Sequence, residues 1–296
     1  MVAALWFAIA LVGSLGYQVK PTVVFAAGAA VVISLIGLHW RRWGRTVLAW
    51  RAVVAVALAV GFLVGGAVGA KVVDGVGITP TAGAEQVALP ATHFLMMGAQ
   101  SESFWGAYYG EDVTLTRSIP PGHERFMNGI RVYGDRVRDM GVVGYATFLH
   151  DKANWTYGDG SFFAFGEGGM RPSPIPWAST DPLSRSVQNW MGPRGAHFGT
   201  LLAWWQLVWL SVLALVAVPA VWWRRELFTP SAAMLRLGLL MLLGFLLLFE
   251  SRPRYLYLYL PYFFVLAGVT VAAVVGAVHR SRDRRPDKGD AATVDA

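Results

Sequence analysis

LAWRAVVAVALAVGFLVGGAVGA occupies residues 48–70, and KVVDG follows at 71–75. The first string holds a single charge, Arg51, in a run long enough at ~1.5 Å per residue to cross the ~30 Å hydrocarbon core of a bilayer. The second opens a polar segment that continues to Phe198 before another long apolar run begins at Leu201. Outward from this boundary, Val2–Tyr17 and Thr22–Leu38 are apolar on the N-terminal side, and Leu201–Trp223, Ala232–Phe249 and Leu256–Val278 on the C-terminal side. The expectation is an all-α integral membrane protein of about six transmembrane helices, with a mostly helical and loop-like external domain inserted between the third and fourth. Its parts are a three-helix membrane block at 1–70, the external domain at 71–198, a second three-helix block at 199–279 and a basic cytoplasmic tail without fixed structure at 280–296.

Composition agrees. The chain is 55% hydrophobic and 15% charged with a mean hydropathy of +0.46, against roughly 45–50% apolar and about 25% charged in soluble domains. With no cysteine, thiolate zinc sites, iron–sulfur clusters, thiol catalysis and disulfides are excluded. The net charge of +7 does not point to nucleic acid, because the polar segment from Lys71 to Arg194 carries ten bases against twelve acids. The surplus sits in short connections: Arg41, Arg42 and Arg45; Arg224, Arg225 and Arg236; and the tail from His279 to Arg285. Placing the first group in the cytoplasm puts all three there and residues 71–198 outside, with both termini cytoplasmic in a cell membrane. Val2–Tyr17 lacks a basic lead and a cleavage site, so it reads as a span, though a short one.

Gly61, Gly65 and Gly69 recur every four residues, which suits close helix contact and equally suits an ordinary glycine-rich membrane helix. In the polar segment, residues 72–90 read as a loop or a frayed extension of the third helix, and 92–98 as a short apolar patch lying on the membrane surface. His123–Met140 has Phe126, Ile130, Tyr133 and Val137 at helical spacing as its apolar face, Gly141 suits a cap, and residues 142–155 read as a second helix. Residues 156–198, rich in glycine and proline, read as loop.

Candidate chemistry is sparse. Glu250-Ser251-Arg252-Pro253-Arg254-Tyr255 lies where the charge rule does not explain arginine, so a guanidinium pair at headgroup depth suits a lipid-linked phosphate; an internal ion pair closing the loop explains Glu250 and an arginine equally well. Asp159, between Gly158 and Gly160, suits a sugar hydroxyl or a base, or simply a turn. His93, His123, Glu111 and Asp112 show no metal-ligand spacing, so no cofactor and no metal are indicated, and Asn154-Trp155-Thr156 fits a glycosylation acceptor. Walker, GxSxG and HExxH motifs are absent from the sequence.

As a set, His93-Phe94-Leu95-Met96-Met97-Gly98, Glu111-Asp112-Val113, Trp155 with Gly158-Asp159-Gly160 and Phe162-Phe163, and the run Glu250 to Leu256 resemble the C-terminal half of bacterial polytopic membrane glycosyltransferases. These are relatives of the dolichyl-phosphate-mannose protein mannosyltransferases in the C superfamily, and the likeness spans roughly Leu15 to Leu260. The resemblance implies transfer of a sugar from a polyprenyl-phosphate donor to an acceptor on the external face, with Glu250, Arg252, Arg254, Tyr255, Asp159 and His93 as substrate-binding candidates. Such enzymes carry their catalytic carboxylate in the first external loop, whereas Tyr17–Pro21 holds no Asp or Glu. The chain is therefore expected to be a C-terminal portion or a degenerate or partner-dependent version, and no catalytic base is assigned. The alternative is a non-enzymatic scaffold or accessory subunit with a membrane protein partner in the cell envelope. A transporter is less favoured, since the runs lack charge at mid-membrane.

Overall fold

The computed structural model describes residues 2–19, 22–37, 45–76, 83–162, 181–192 and 195–283, and among these there is no strand. The expected tail from 284 onward, the basic connection at Arg41 and Arg42 and the glycine- and proline-rich stretch at 163–180 lie outside the described residues. The apolar runs become α1 (Val2–Val19), α2 (Val23–Gly37), α3 (Arg45–Gly75), α9 (Phe198–Ala217), α10 (Pro230–Leu248) and α11 (Leu260–Asp283). The polar segment supplies α4 (Ala84–Val87), α5 (Ala91–Gly98), α6 (Gly110–Ser118), α7 (His123–Tyr157) and α8 (Pro182–Met191).

Four of the apolar helices are long enough to cross a membrane: Ala52–Gly75, Phe198–Ala220, Pro230–Leu248 and Pro253–Ser281. The other two contribute the shorter apolar stretches Ala3–Tyr17 and Val23–Ile33, which at ~1.5 Å per residue fall short of ~30 Å.

Side-chain neighbours give the helix directions. Phe7 and Ala10 meet Gly61 while Leu11 and Ser14 meet Gly65, so α1 and α3 run parallel. Phe25 packs on Phe245 with ring centres 5.1 Å apart and Ala29 lies by Gly238, so α2 and α10 are antiparallel. Trp209 meets Phe263 at 5.0 Å and Thr270 donates to the Leu215 carbonyl at 2.9 Å, making α9 and α11 parallel. Tyr259 closes the frame by donating to the Thr22 carbonyl at 2.5 Å. The C-terminal ends of α1, α3 and α10 thus share one end of the bundle with the N-terminal ends of α2, α9 and α11. At the opposite end Arg280 reaches Glu226 at 3.3 Å.

The bundle core lies between α9, α10, α11 and the 3-10 turn Pro253–Tyr259, where Trp209, Leu242, Leu246, Leu256, Phe263 and Leu266 are buried. The polar helices cap the first end. Gly141, at φ 63°, breaks α7 into the two helical pieces that its glycine suggested.

Three expectations are corrected. Residues 92–98 are not a surface patch: α5 buries His93, Met96 and Met97, because α7 lies across it. Of the apolar face expected on α7, Phe126 and Ile130 are exposed at 44% and 39% and Tyr133 and Val137 half-buried, while Arg125 and Gly129 are buried. Gly129 lets α5 approach at Thr92, where a β-carbon would stand 2.5 Å from the carbonyl oxygen, and Arg125 turns inward to the carbonyls of Ile119 and Ala88. Residues 156–198 are not all loop, since α8 begins with an Asp181 cap donated to by the Ser184 amide at 2.7 Å and with proline at its first position.

Candidate functional site

The cap end is built around the link between α10 and α11. After Leu248 the chain becomes extended and docks by its backbone: the Glu250 amide donates to the Phe94 carbonyl at 2.8 Å and the Ser251 amide to the Gly106 carbonyl at 3.0 Å. Gly98 lets α5 close on this link, for a β-carbon there would stand 2.1 Å from the Leu248 carbonyl oxygen. Ser251 and Thr156 share a hydroxyl hydrogen bond of 2.5 Å, which ties the link to α7.

Lys152 is the centre of this junction. It has no solvent exposure, and its Nζ donates to the carbonyls of Gly98 at 2.5 Å, Leu247 at 3.0 Å and Phe249 at 2.7 Å. Those carbonyls end α5 and α10, where backbone acceptors lack helical partners and the helix dipoles favour a cation. Burial, partly opposed by the Glu250 carboxylate, brings the amine from its ordinary 10.5 down to about 7. Three acceptors match the three N–H bonds of an ammonium, where a neutral amine offers two, so the geometry is that of the charged form. Two more cations work in the same way. Arg136 forms a two-toothed pair with buried Asp112 at 2.6 and 2.9 Å and also donates to the Met96 carbonyl at 2.8 Å. Arg125 donates to the carbonyls of Ile119 at 2.7 Å and Ala88 at 3.0 Å.

The six candidate residues separate into distinct places. Glu250 is buried and accepts from Arg252 Nε at 2.6 Å, and the Arg252 guanidinium lies over Tyr108, 5.3 Å from the ring centre. Arg254 is exposed, and its guanidinium lies 5.9 Å from the Tyr255 ring centre. In a 3-10 helix residues i and i+3 eclipse, so Arg254 stands one turn above Tyr257 on one face of the Pro253–Tyr259 turn.

Tyr257 walls a groove of about 320 Å³ together with Ser161, Trp205, Trp209, Leu260 and Phe264. Asp159 holds the turn that forms its other rim, accepting from the Ser161 amide at 2.8 Å and hydroxyl at 2.7 Å. Gln206 fixes that turn to α9 by accepting from the Gly160 amide at 2.8 Å and donating to the Gly158 carbonyl at 2.5 Å.

His93 is away from all of this. It is 1% exposed, on α5 facing α6 with Nδ1 2.7 Å from Thr116 Oγ1, and its Nε2 has no hydrogen-bond partner among the described residues. Burial lowers its pKa from the ordinary 6.5, Asp112 opposing this and Arg117 adding to it. Its only connection to Glu250 among these contacts is through the backbone of its neighbour Phe94.

A second, polar hollow of about 480 Å³ opens among Gln100, Glu102, Tyr109, Glu111, Asp112 and Arg136. Tyr109 faces two carboxylates, Glu102 at 2.7 Å and Glu111 at 2.9 Å, which hold its hydroxyl proton more tightly than usual. Among the described residues no group of three or more His, Asp or Glu gathers as a metal would require. His123, another of the residues weighed for a metal, is exposed at the start of α7.

Lys152 and Arg136 are the residues that sequence reasoning passed over. Lys152 carried a signal nonetheless: Phe148, Lys152 and Thr156 follow one another at i, i+4 and i+8 on a single buried face.

Span-length apolar helices with a polar helical cap at one end define a multi-pass integral membrane protein. The chain belongs to the family described as conserved hypothetical integral membrane protein, whose match covers residues 1–275. No curated protein and no solved structure matches it. The family description states membrane integration and gives no activity.

Proposed function

We propose that this protein engages a polyprenyl-phosphate-linked sugar at the cap end of the bundle, in the manner of a membrane glycosyltransferase acting on the external face. One observation carries the reading: a cation, Arg254, stands one 3-10 turn above Tyr257 at the wall of an open, aromatic-lined groove beside α9. An isoprenoid chain suits the groove and a phosphate suits the guanidinium at its mouth. The likeness drawn from Glu250 to Leu256 supports the same assignment. Arg252 pairs with buried Glu250 while Arg254 sits on the exposed side of the turn, so the phosphate is assigned to Arg254. A departing polyprenyl phosphate needs its charge neutralised, and this is the chemistry that Arg254 supplies. No base is assigned to the acceptor.

The alternating directions of the six apolar helices support six crossings, with both termini cytoplasmic and residues 71–198 external. α1 and α2 then cross where the bilayer is locally thinned.

Binding of a fluorescent polyprenyl phosphate, and of the corresponding polyprenol, to the purified protein in nanodiscs tests the proposal. Arg254→Ala should weaken the phosphate ligand by roughly 10- to 100-fold, as loss of a charge-assisted hydrogen bond worth about 1.5–3 kcal/mol implies, and leave the polyprenol unchanged. Trp205→Ala should weaken both. Unchanged phosphate binding in Arg254→Ala removes that residue from the site, and failure of the wild type to bind either ligand removes the function.

The scaffold reading has one observation in its favour. Val142 and Val143 are 90% and 80% exposed at the break in α7, an apolar tip that suits a protein partner. Photo-crosslinking from position 142 in intact cells, yielding a discrete adduct, would support it.

A further inference from the structure

We infer that α8 is an interfacial anchor, lying in the plane of the membrane surface with Leu183, Val187, Trp190 and Met191 in the boundary between headgroups and acyl chains. The helix is divided by chemistry. At roughly 100° per residue these four side chains fall within a single arc, and Ser184, Arg185, Gln188 and Asn189 fall on the remainder. Yet no residue of α8 is buried: Leu183 is 72% exposed, Val187 48%, Trp190 42% and Met191 47%.

A helix of ten residues is marginal in water by itself, and one presenting four apolar side chains to water is worse placed still. Its ends are nevertheless well formed, with the Asp181 cap at the start and the Gly192 amide donating to the Gln188 carbonyl at 2.8 Å at the finish.

What covers the face follows from where α8 is tied. The His197 amide donates to the Asn189 carbonyl at 2.9 Å, and the Trp190 and His197 rings stack 4.6 Å apart. One residue later Phe198 begins α9, a helix long and apolar enough to cross a membrane. The tether therefore holds α8 at the depth where α9 passes from water into lipid, and tryptophan there belongs to the interfacial belt. The polar face bears one basic residue, Arg185, against the capping Asp181, so apolar burial rather than attraction to anionic lipid holds the helix down. This assignment does not depend on the polyprenyl reading.

The natural absence of cysteine makes the test direct. Single cysteines at positions 183, 187, 185 and 188 of the full chain are nitroxide-labelled and reconstituted into nanodiscs of zwitterionic phosphatidylcholine. Accessibility to oxygen and to a water-soluble nickel chelate is then measured by electron paramagnetic resonance. Labels at 183 and 187 should favour oxygen over nickel, with a depth of about 5–10 Å, while those at 185 and 188 favour nickel. Nickel accessibility at 183 and 187 equal to that at 185 and 188 overturns the proposal in favour of a solvated helix. Inaccessibility of 183 and 187 to both reagents overturns it in favour of cover by protein, either residues 163–180 or a second copy. A Leu183→Glu, Val187→Glu double variant gives an independent reading: nickel access to a label at 188 should be unchanged, whereas a label at 190 should shift from oxygen to nickel. No shift at 190 counts against the anchor.

Discussion

The α1–α3 seam and the junction beneath the cap are both closely packed, and they are held by opposite chemistry. In the seam, a β-carbon on Gly61 would stand 2.5 Å from the Phe7 carbonyl oxygen, and one on Gly65 2.7 Å from Ser14 Cβ. A side-chain hydrogen bond, from Ser14 to the Phe62 carbonyl at 2.8 Å, accompanies that contact. At the junction, buried Lys152 and Arg125 and half-buried Arg136 reach across to carbonyls of other segments. Lipid is as apolar as leucine, so apolar side chains gain little by leaving it and helices associate by fit. Where helices end, their carbonyls need donors, and a lysine or arginine can satisfy several at once.

The largest effect is expected at Lys152. Lys152→Met keeps the length and removes the donor from three carbonyls, which should cost about 3–5 kcal/mol, since each buried acceptor left unsatisfied costs about 1–3 kcal/mol and the losses are not fully additive. Lys152→Arg should not restore the loss, because a planar fork cannot reproduce three diverging donors. Thermal unfolding in nanodiscs, together with tryptic cleavage within residues 91–157, measures both. A neutral Lys152→Met would erase the contrast between the two regions.

Gly65→Ile sharpens the comparison from the other side. Its branched side chain meets Ser14 Cβ and the Leu11 carbonyl, so α1 must move off α3, at a cost of about 1–3 kcal/mol. The adjacent Gly66 has only Ser14 Oγ, 4.0 Å away, so Gly66→Ala should be neutral or slightly stabilising as a helix-propensity change of roughly 1 kcal/mol. Equal melting shifts for the two variants would mean that the seam is not tight at Gly65.

The contrast also explains what the sequence made readable. Apolar runs, four of them of span length, follow from composition alone, and the break at Gly141 follows from glycine after an amphipathic run. The junction was harder, because a lysine capping buried carbonyls and a lysine in water look alike one residue at a time. The Glu250 ion pair was legible as one of two readings, but the divergence of Arg252 and Arg254 was not. Their separation of two residues spans an extended residue and the start of a 3-10 turn, which turns one inward and the other outward. α8 escaped notice because its start signal, Asp181-Pro182 with Ser184, lies in a stretch whose prolines and glycines read as loop.

His93 offers a smaller, pH-dependent change within the cap. Its folded pKa lies below the ordinary 6.5, so the unfolded chain takes up the proton first as the pH falls. Stability is therefore full above 6.5 and declines as the pH drops from there through the lowered folded value. His93→Asn keeps a polar group toward Thr116 Oγ1 and removes the titration, so its melting temperature should vary less between pH 7 and pH 5 than that of the wild type. Parallel curves for the two proteins would assign the pH dependence to other groups.

The least effect is expected at Arg138, which lies on the same helix as Lys152 and Arg136 but pairs with Asp135, at 2.7 Å, with their side chains 77% and 51% exposed. Water solvates both partners about as well as they solvate each other, so an exposed pair three residues apart on a helix contributes roughly 0.2–0.5 kcal/mol. Arg138→Ala should shift the melting temperature by no more than the scatter between preparations, and the difference should vanish in high salt. A loss approaching that of Lys152→Met would mean that charge anywhere on α7 holds the cap. The expected gap between the two variants says instead that a cation matters here when it is buried and its protons end on backbone carbonyls.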